Sequence, residues 1–78
     1  MTESLQKLIA ATLKVDASLV TEETSMQTLP KWDSLAHMNL VAAMESEFQV
    51  RFEAEDLLSM VSVRDIVETL KRLGVELN

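Results

Sequence analysis

Three residues within a five-residue segment, Asp33, Ser34 and His37, carry side chains that can take part in catalysis. A carboxylate, a hydroxyl and an imidazole are the groups of a hydrolase triad. In a helix, however, His37 lies one turn beyond Ser34 and about 60° around the axis, and Asp33 is the serine's neighbour in the chain. No second segment offers an oxyanion hole or a group to orient the imidazole. We therefore do not expect a hydrolase, and we interpret His37 as a partly buried edge residue.

The segment after Ser34 predicts a helix that begins at this serine. Residues 35–48 contain neither Gly nor Pro and are rich in good helix formers. Asp33 is a preferred N-cap residue, and Pro30 interrupts whatever precedes it. Ser34 should then lie in the first turn, where free backbone N–H groups and the helix dipole stabilise a phosphate. Taken alone, an Asp-Ser pair is weak support, because most such pairs are only helix caps.

The predicted helix over about residues 34–48 carries two apolar stripes. The wider stripe consists of His37, Leu40, Val41, Met44 and Phe48. The narrower one, beside Ser34, consists of Leu35, Met38 and Ala42. A small bundle can bury only one of them fully, so we expect the wider stripe in the core and the narrower stripe as a docking site for a partner. The alternative is that Leu35 and Met38 pack beneath the loops.

Other periodic segments predict the rest of a small all-α bundle with three main helices and one short one. The predicted segments are a helix over 4–14, a long loop over 15–31 with a helical turn near Asp16–Leu19, an extended linker at 49–52 with Val50 and Phe52 inward, a short helix over 53–58, a last helix capped by Ser62 and ending before Gly74, and a frayed tail at 75–78. Four methionines, Met26, Met38, Met44 and Met60, either fill the core or line an adaptable interior.

Composition narrows the possible functions. Thirteen acidic and seven basic residues give a net charge of −6, which disfavours nucleic-acid binding and suits partners with basic patches. The absence of cysteine excludes disulfides and thiolate metal sites. No apolar run approaches the roughly 20 residues of a membrane span, and the amino-terminal segment lacks the features of a signal peptide. We expect a single domain over 1–78 that is cytoplasmic and does not act at a membrane.

The motifs over most of the chain resemble the acyl carrier protein family of phosphopantetheine-binding carrier proteins. The resemblance begins with Asp33-Ser34-Leu35, continues with apolar Leu40, Val41 and Met44, and includes the E-x-E-F run that ends at Phe48. Later segments that match are Val50-x-Phe52, Glu55-Asp56-Leu57 and Val63-Arg64-Asp65-Ile66. One position departs from the pattern, because Trp32 stands where many carriers have glycine. The resemblance implies a small four-helix bundle with a long first loop.

The resemblance also implies a function. Ser34 would carry a covalent 4′-phosphopantetheine arm that holds acyl groups as thioesters, and the chain would be a stand-alone, monomeric carrier rather than an enzyme. The implied partners are a phosphopantetheinyl transferase, an acyl-loading ligase or transacylase, and a downstream acyl-accepting enzyme. Two alternatives stay open at this point: a peptidyl or aminoacyl carrier, and an unmodified helical adaptor that binds proteins through Leu35, Met38 and Ala42.

Recognition by these partners is expected to involve residues around Ser34. Asp33 would cap the helix and contribute to recognition by the transferase. Leu35, Met38 and Ala42 would supply apolar contacts, since Ala36, Asn39 and Ser46 stand where many acyl carriers have acids. Charge would come from Glu45 on the second helix and from Glu55 and Asp56 on the third. The alternative is that these acids form only a solvated face.

Overall fold

The computed structural model describes residues 1–77, and its regular elements are helices. The α-helices are α1 (Glu3–Leu13), α2 (Ser34–Phe48), α3 (Ala54–Ser59) and α4 (Val63–Arg72), and a 3₁₀ helix lies at Ala17–Leu19 in the long first loop. The predicted all-α architecture is confirmed, including the short third helix. None of the helices in the described range has the length and apolar character needed to cross a bilayer.

Local capping explains where the helices begin and end. The Asp33 side chain caps α2, which has the predicted bounds. Helix α1 begins at Glu3 because the Thr2 hydroxyl accepts a hydrogen bond from the backbone N–H of Leu5. It ends one residue earlier than predicted, because Lys14 adopts the left-handed conformation with φ of 60°. Helix α3 is shifted by one residue because Glu53 is its N-cap and forms a reciprocal capping box with Asp56.

One hydrophobic core joins the helices. Helix α3 contributes only the half-buried Leu57. The buried members come from the other elements: Leu5, Ile9, Ala10 and Leu13 of α1, Val20 and Trp32 of the first loop, Leu40, Val41 and Met44 of α2, Phe52 and Met60 of the connections, and Val63, Ile66, Val67 and Leu70 of α4. The wider α2 stripe is therefore in the core, as predicted. Trp32, at the end of the first loop, is 1% exposed and belongs to the core.

The long first loop is held by backbone hydrogen bonds to the segment that starts α4. The N–H of Met26 donates to the carbonyl of Val61 at 3.0 Å, and the N–H of Val63 donates to the carbonyl of Thr24 at 2.9 Å. Arg64 pairs with Glu22, and a hydrogen bond from the Met1 ammonium group, with a smaller contribution from Arg64, holds the pKa of Glu22 below its ordinary value. A connection this long is tolerated in a small bundle because its polar backbone is paired.

The connections after α2 and α4 also pack against the core. Phe52 is buried and Val50 is half-buried, which confirms the inward-facing linker. The predicted frayed tail is wrong for residues 75–77, because the N–H of Val75 donates to the carbonyl of Leu70 and both Val75 and Leu77 are half-buried against the core. The last residue of the predicted tail, Asn78, lies outside the described residues.

The two faces of α2 predict opposite responses to the same substitution. Leu40 is fully buried and Leu35 is 72% exposed. We expect Leu40→Ala to lower the free energy of unfolding by about 2–5 kcal/mol, because it leaves a cavity in the core. Leu35→Ala should change it by no more than about 0.5 kcal/mol. Urea unfolding followed by circular dichroism measures both, and similar losses in the two variants would contradict the assignment of faces.

Candidate functional site

The start of α2 presents Ser34 to solvent. Oδ1 of Asp33 accepts a hydrogen bond from the N–H of Ala36 at 2.9 Å, and the carbonyl of Asp33 accepts one from the N–H of His37 at 2.8 Å. Ser34 follows the cap directly, and its side chain is exposed. The backbone N–H groups of Ser34 and Leu35 lie in the first turn and have no acceptor within the helix. They point outward at the positive end of the helix dipole. This geometry favours an anionic ester on the serine.

His37 is buried beneath this helix start and both of its ring nitrogens are engaged. The indole N–H of Trp32 donates to Nδ1 of His37 at 3.1 Å, and Nε2 of His37 lies 3.0 Å from the carbonyl oxygen of Leu57. An indole nitrogen can only donate, so Nδ1 is the acceptor and Nε2 carries the proton that is given to Leu57. His37 is 7% exposed, and thus more deeply buried than the edge position expected from the sequence.

These contacts also decide against a catalytic triad at Ser34. The carboxylate of Asp33 caps α2, and the two nitrogens of His37 bond to Trp32 and Leu57. Neither nitrogen is available to accept the Ser34 proton, and no carboxylate orients the imidazole. Asp33 therefore caps α2 and His37 bonds to Trp32 and Leu57, and neither of them activates the Ser34 hydroxyl.

Two hollows flank the start of α2. An apolar groove of about 470 Å³ lies between α2 and α3; its lining residues are Met26, Ser34, His37, Met38, Ala54, Leu57, Leu58 and Val61. A smaller hollow of about 300 Å³ lies on the other side; its lining residues are Thr12, Leu13, Lys14, Lys31, Asp33, Leu35, Ala36 and Asn39. Ser34 therefore lies beside an apolar surface on the α3 side, and its chain neighbours Asp33 and Leu35 line the smaller hollow together with Lys14 and Lys31.

The residues that were expected to contact partners differ in their exposure to solvent. Asp33, Leu35, Met38, Ala42 and Glu55 are exposed, and the first three line the hollows that flank the helix start. These side chains are available for contact.

Two of the acids that were expected to contact partners form hydrogen bonds or ion pairs within the fold. The carboxylate of Glu45 accepts a hydrogen bond from the N–H of Phe52 at 2.9 Å. Asp56 is 6% exposed; it accepts a hydrogen bond from the N–H of Glu53 and forms an ion pair with Arg72. The expectation of a charged surface at Asp56 therefore needs correction, because its carboxylate holds α3 against α4.

Some exposed apolar residues near Ser34 were not found by sequence reasoning. Leu58 is 83% exposed, Val61 is 48% exposed, and both line the groove with Met38. The adjacent pair Leu57 and Leu58 carries no periodic signal that could tell which of them faces inward, because α3 has fewer than two turns. We name the exposed apolar set Leu35, Met38, Ala42, Leu58 and Val61 the Ser34 face.

The Ser34 face lies in an uncharged part of an acidic chain. Between Ser34 and Met44, α2 contains no Asp, Glu, Lys or Arg. Asp33 and Glu45 bound this stretch in the chain, and two lysines line the smaller hollow, where Nζ of Lys31 donates to the carbonyl of Lys14 at 3.2 Å. Contacts made by the start of α2 must therefore be mainly apolar.

Comparison with known proteins identifies the family. The family model described as "Phosphopantetheine attachment site" matches residues 3–70, which is most of the chain. The chain belongs to the acyl carrier protein family of phosphopantetheine-binding carriers. A relative named acyl carrier protein from Thermotoga maritima is 39% identical over 71 residues, which cover 90% of this chain and 88% of the relative. Another, from Helicobacter pylori, is 33% identical over 88% of each chain.

The fold agrees with this assignment. The solution structure of the holo acyl carrier protein from Geobacter metallireducens is similar, with a TM-score of 0.81 and 27% identity, and the alignment covers 91% of this chain and 82% of that one. The family's prosthetic group is a covalently attached 4′-phosphopantetheine, and the expectation of this cofactor is confirmed.

The residues at the start of α2 fit such a group. An ester on the exposed Ser34 hydroxyl would place its phosphate beside the open N–H groups of the first turn. The apolar groove begins at the same serine and offers a surface for the uncharged part of an arm. Two positively charged side chains, Lys14 and Lys31, line the smaller hollow on the α1 side of the helix start.

The cap at Asp33 predicts a measurable contribution to stability. Asp33→Ala removes the acceptor for the N–H of Ala36 and should lower the free energy of unfolding by about 1 kcal/mol. Asp33→Asn keeps a capping oxygen and should stay within a few tenths of a kcal/mol of the wild type. Urea unfolding of the three proteins makes the comparison, and an equal loss in both variants would show that the charge of Asp33, rather than its hydrogen bond, stabilises the helix start.

Proposed function

We propose that this chain is an acyl carrier protein whose 4′-phosphopantetheine is attached to the hydroxyl oxygen of Ser34. The single observation that carries this assignment is the position of Ser34, exposed in the first turn of α2 directly after its Asp33 cap and beside the groove. Relatives that carry the name acyl carrier protein support acyl groups as the cargo. The unit over residues 1–78 would act as one carrier domain and as a monomer.

The protein's own part in this function is presentation rather than catalysis. When bound, the arm supplies a thiol that holds the acyl group as a thioester. Ser34 supplies the ester oxygen, and the first turn of α2 stabilises the negative charge that the phosphodiester adds. The chain contains no cysteine, so it has no thiol of its own that could compete with the thiol of the arm for the acyl group. His37 bonds to Trp32 and Leu57 and so does not activate the Ser34 hydroxyl as a nucleophile.

Intact mass spectrometry tests the attachment site. Incubation with coenzyme A and a phosphopantetheinyl transferase of broad specificity should add the mass of one phosphopantetheinyl group to the wild type. Ser34→Ala should add none. Ser46→Ala is the matched control, because Ser46 is an exposed serine of the same helix, and it should be modified like the wild type. An unmodified wild type would contradict the carrier function and favour the adaptor, and a modified Ser34→Ala would contradict the site.

Partner enzymes would meet the carrier at the Ser34 face. The implied partners are the transferase, an acyl-loading ligase or transacylase, and an acyl-accepting enzyme, each of which must reach the same serine. Leu35 and Met38 are 72% and 52% exposed on either side of it, and large exposed apolar side chains beside a functional group mark contact surfaces. Asp33 and Ala42 extend the contact along α2, and Glu55 is the exposed acid of α3 that adds charge at its edge.

Loading kinetics test the Ser34 face. Leu35→Ala and Met38→Ala should each lower kcat/KM for loading of the modified carrier about tenfold, which corresponds to about 1.4 kcal/mol of lost contact energy. Leu19→Ala is the matched control, because Leu19 is 56% exposed and lines neither hollow beside Ser34. Similar losses in the control would contradict a specific docking surface.

The salt dependence of the same reaction tests the role of Glu55. Glu55→Lys should slow loading at low ionic strength and have little effect at high ionic strength, because the charges at exposed positions are screened by salt. Glu47→Lys, at an exposed position near the other end of α2, is the control for the change in net charge. Unchanged loading of Glu55→Lys at low salt would leave the apolar contacts as the basis of recognition.

A further inference from the structure

The smaller hollow presents two positive charges on the α1 side of the helix start. They belong to Lys14, the C-cap residue of α1, and to Lys31, which precedes Ser34 by three positions. Nζ of Lys31 donates to the carbonyl oxygen of Lys14 at 3.2 Å, so this ammonium group is held at the carboxyl end of α1. The contact uses one of its three N–H donors, and both lysines are exposed. Donors therefore remain available to a group that enters the hollow.

The two lysines have no carboxylate partner within the fold. Lys7, Arg64 and Arg72 each form an ion pair with an acid of the chain. Among residues 1–77, neither Lys14 nor Lys31 forms such a pair. The charges of the hollow are thus not neutralised by the ion pairs that balance other basic residues of this acidic chain.

The net charge of the hollow matches one carboxylate. Asp33 also lines the hollow, and its Oδ1 accepts the hydrogen bond from the N–H of Ala36. Two lysines and one aspartate give the hollow a net charge of +1, in a chain whose net charge is −6. A ligand with several phosphates would be repelled by Asp33 and by the chain as a whole. A single carboxylate carries one charge and has two oxygens that accept hydrogen bonds from ammonium groups.

The rim of the hollow indicates that this carboxylate belongs to a protein. Leu35 lines the hollow, is 72% exposed and is part of the Ser34 face. An ion pair at an exposed position is weak by itself, so a small free carboxylate would not stay bound. A protein that covers Leu35 gains apolar contact at the same time, and it excludes water from the ion pair.

Opposite charges flank the Ser34 face. Lys14 and Lys31 lie on the α1 side, Glu55 is exposed on α3, and the part of α2 from Ser34 to Met44 has no Asp, Glu, Lys or Arg. A partner that carries an acid toward α1 and a base toward α3 is complementary in one orientation. The reversed orientation would bring like charges together, which is unfavourable.

We propose that the smaller hollow receives a carboxylate side chain of the phosphopantetheinyl transferase that modifies Ser34, and that this contact sets the orientation in which the transferase docks. The inference rests on the proposed function of Ser34 as the attachment site. It goes beyond that function because it assigns a sign of charge to the enzyme surface, an acid opposite Lys14 and Lys31.

Transfer kinetics with coenzyme A and the transferase of broad specificity test the contact. The double variant Lys14→Glu, Lys31→Glu should lower kcat/KM for the carrier about tenfold at low ionic strength, mainly through KM, because attraction becomes repulsion. High salt should reduce the difference. The double variant Lys7→Glu, Lys71→Glu is the matched control, because it changes the net charge equally at exposed positions that line neither hollow. Equal rates in the two double variants would overturn the proposal.

Carbodiimide cross-linking tests the contact without catalysis and without a charge reversal. The reagent joins a carboxylate to a lysine amine in contact with it. Ser34→Ala cannot accept the arm, so its complex with the transferase stays unmodified during the reaction. Mass spectrometry of the peptides should find Lys14 or Lys31 joined to an Asp or Glu of the transferase. Cross-links at neither lysine would overturn the proposal. Replacement of the cross-linked acid by lysine should restore transfer to the double variant Lys14→Glu, Lys31→Glu.

The outcomes separate the proposal from another occupant and from the proposed function. A change confined to the KM for coenzyme A would assign the hollow to the phosphates of coenzyme A and overturn the proposal. A wild type that the transferase does not modify would contradict the carrier function. A wild type that is modified at Ser34, together with a double variant that behaves like its control, would contradict only the carboxylate contact at Lys14 and Lys31.

Discussion

The arrangement of this protein depends on how the first turn of α2 is held. Three contacts act there. Trp32 is buried in the core, Asp33 caps the helix, and His37 forms a hydrogen bond that connects the same turn to α3. These contacts involve the backbone and buried side chains. The Ser34 side chain does not take part in them and remains exposed. A serine that must accept a large group has to be positioned by its neighbours, since any packing of its own hydroxyl would obstruct the reaction.

The rest of the chain stabilises this arrangement without cysteines and with a single glycine. The first loop is paired through its backbone with the segment that begins α4, and Asp56 links α3 to Arg72 near the end of α4. Among the described residues, no buried side-chain nitrogen or oxygen lacks a hydrogen-bond partner. Some of these polar groups connect elements of the fold, as His37 connects α2 to α3 and Asp56 connects α3 to α4.

The distribution of charge agrees with the function of a carrier. The chain is acidic, yet the exposed residues of α2 nearest to Ser34 are apolar or uncharged. Two of the acids that the sequence offers as recognition groups have structural partners in the fold: Glu45 bonds to the N–H of Phe52, and Asp56 pairs with Arg72. The contacts available to a partner are therefore apolar at the centre and charged at the edge, and an arrangement of this kind combines burial with orientation.

The helices and the position of Ser34 at the start of α2 could be predicted from the sequence, because capping residues and apolar periodicity act over only a few neighbouring residues. The burial of one α2 stripe and the exposure of the other also followed from this local pattern. Four features could be seen only in the folded chain: the pairing of Trp32 with His37, the burial of Asp56, the exposure of Leu58 and the packing of Val75 and Leu77 after Gly74. These features depend on which distant segments of the chain are in contact. A short helix or a single polar residue has no periodic pattern from which its contact partner could be predicted.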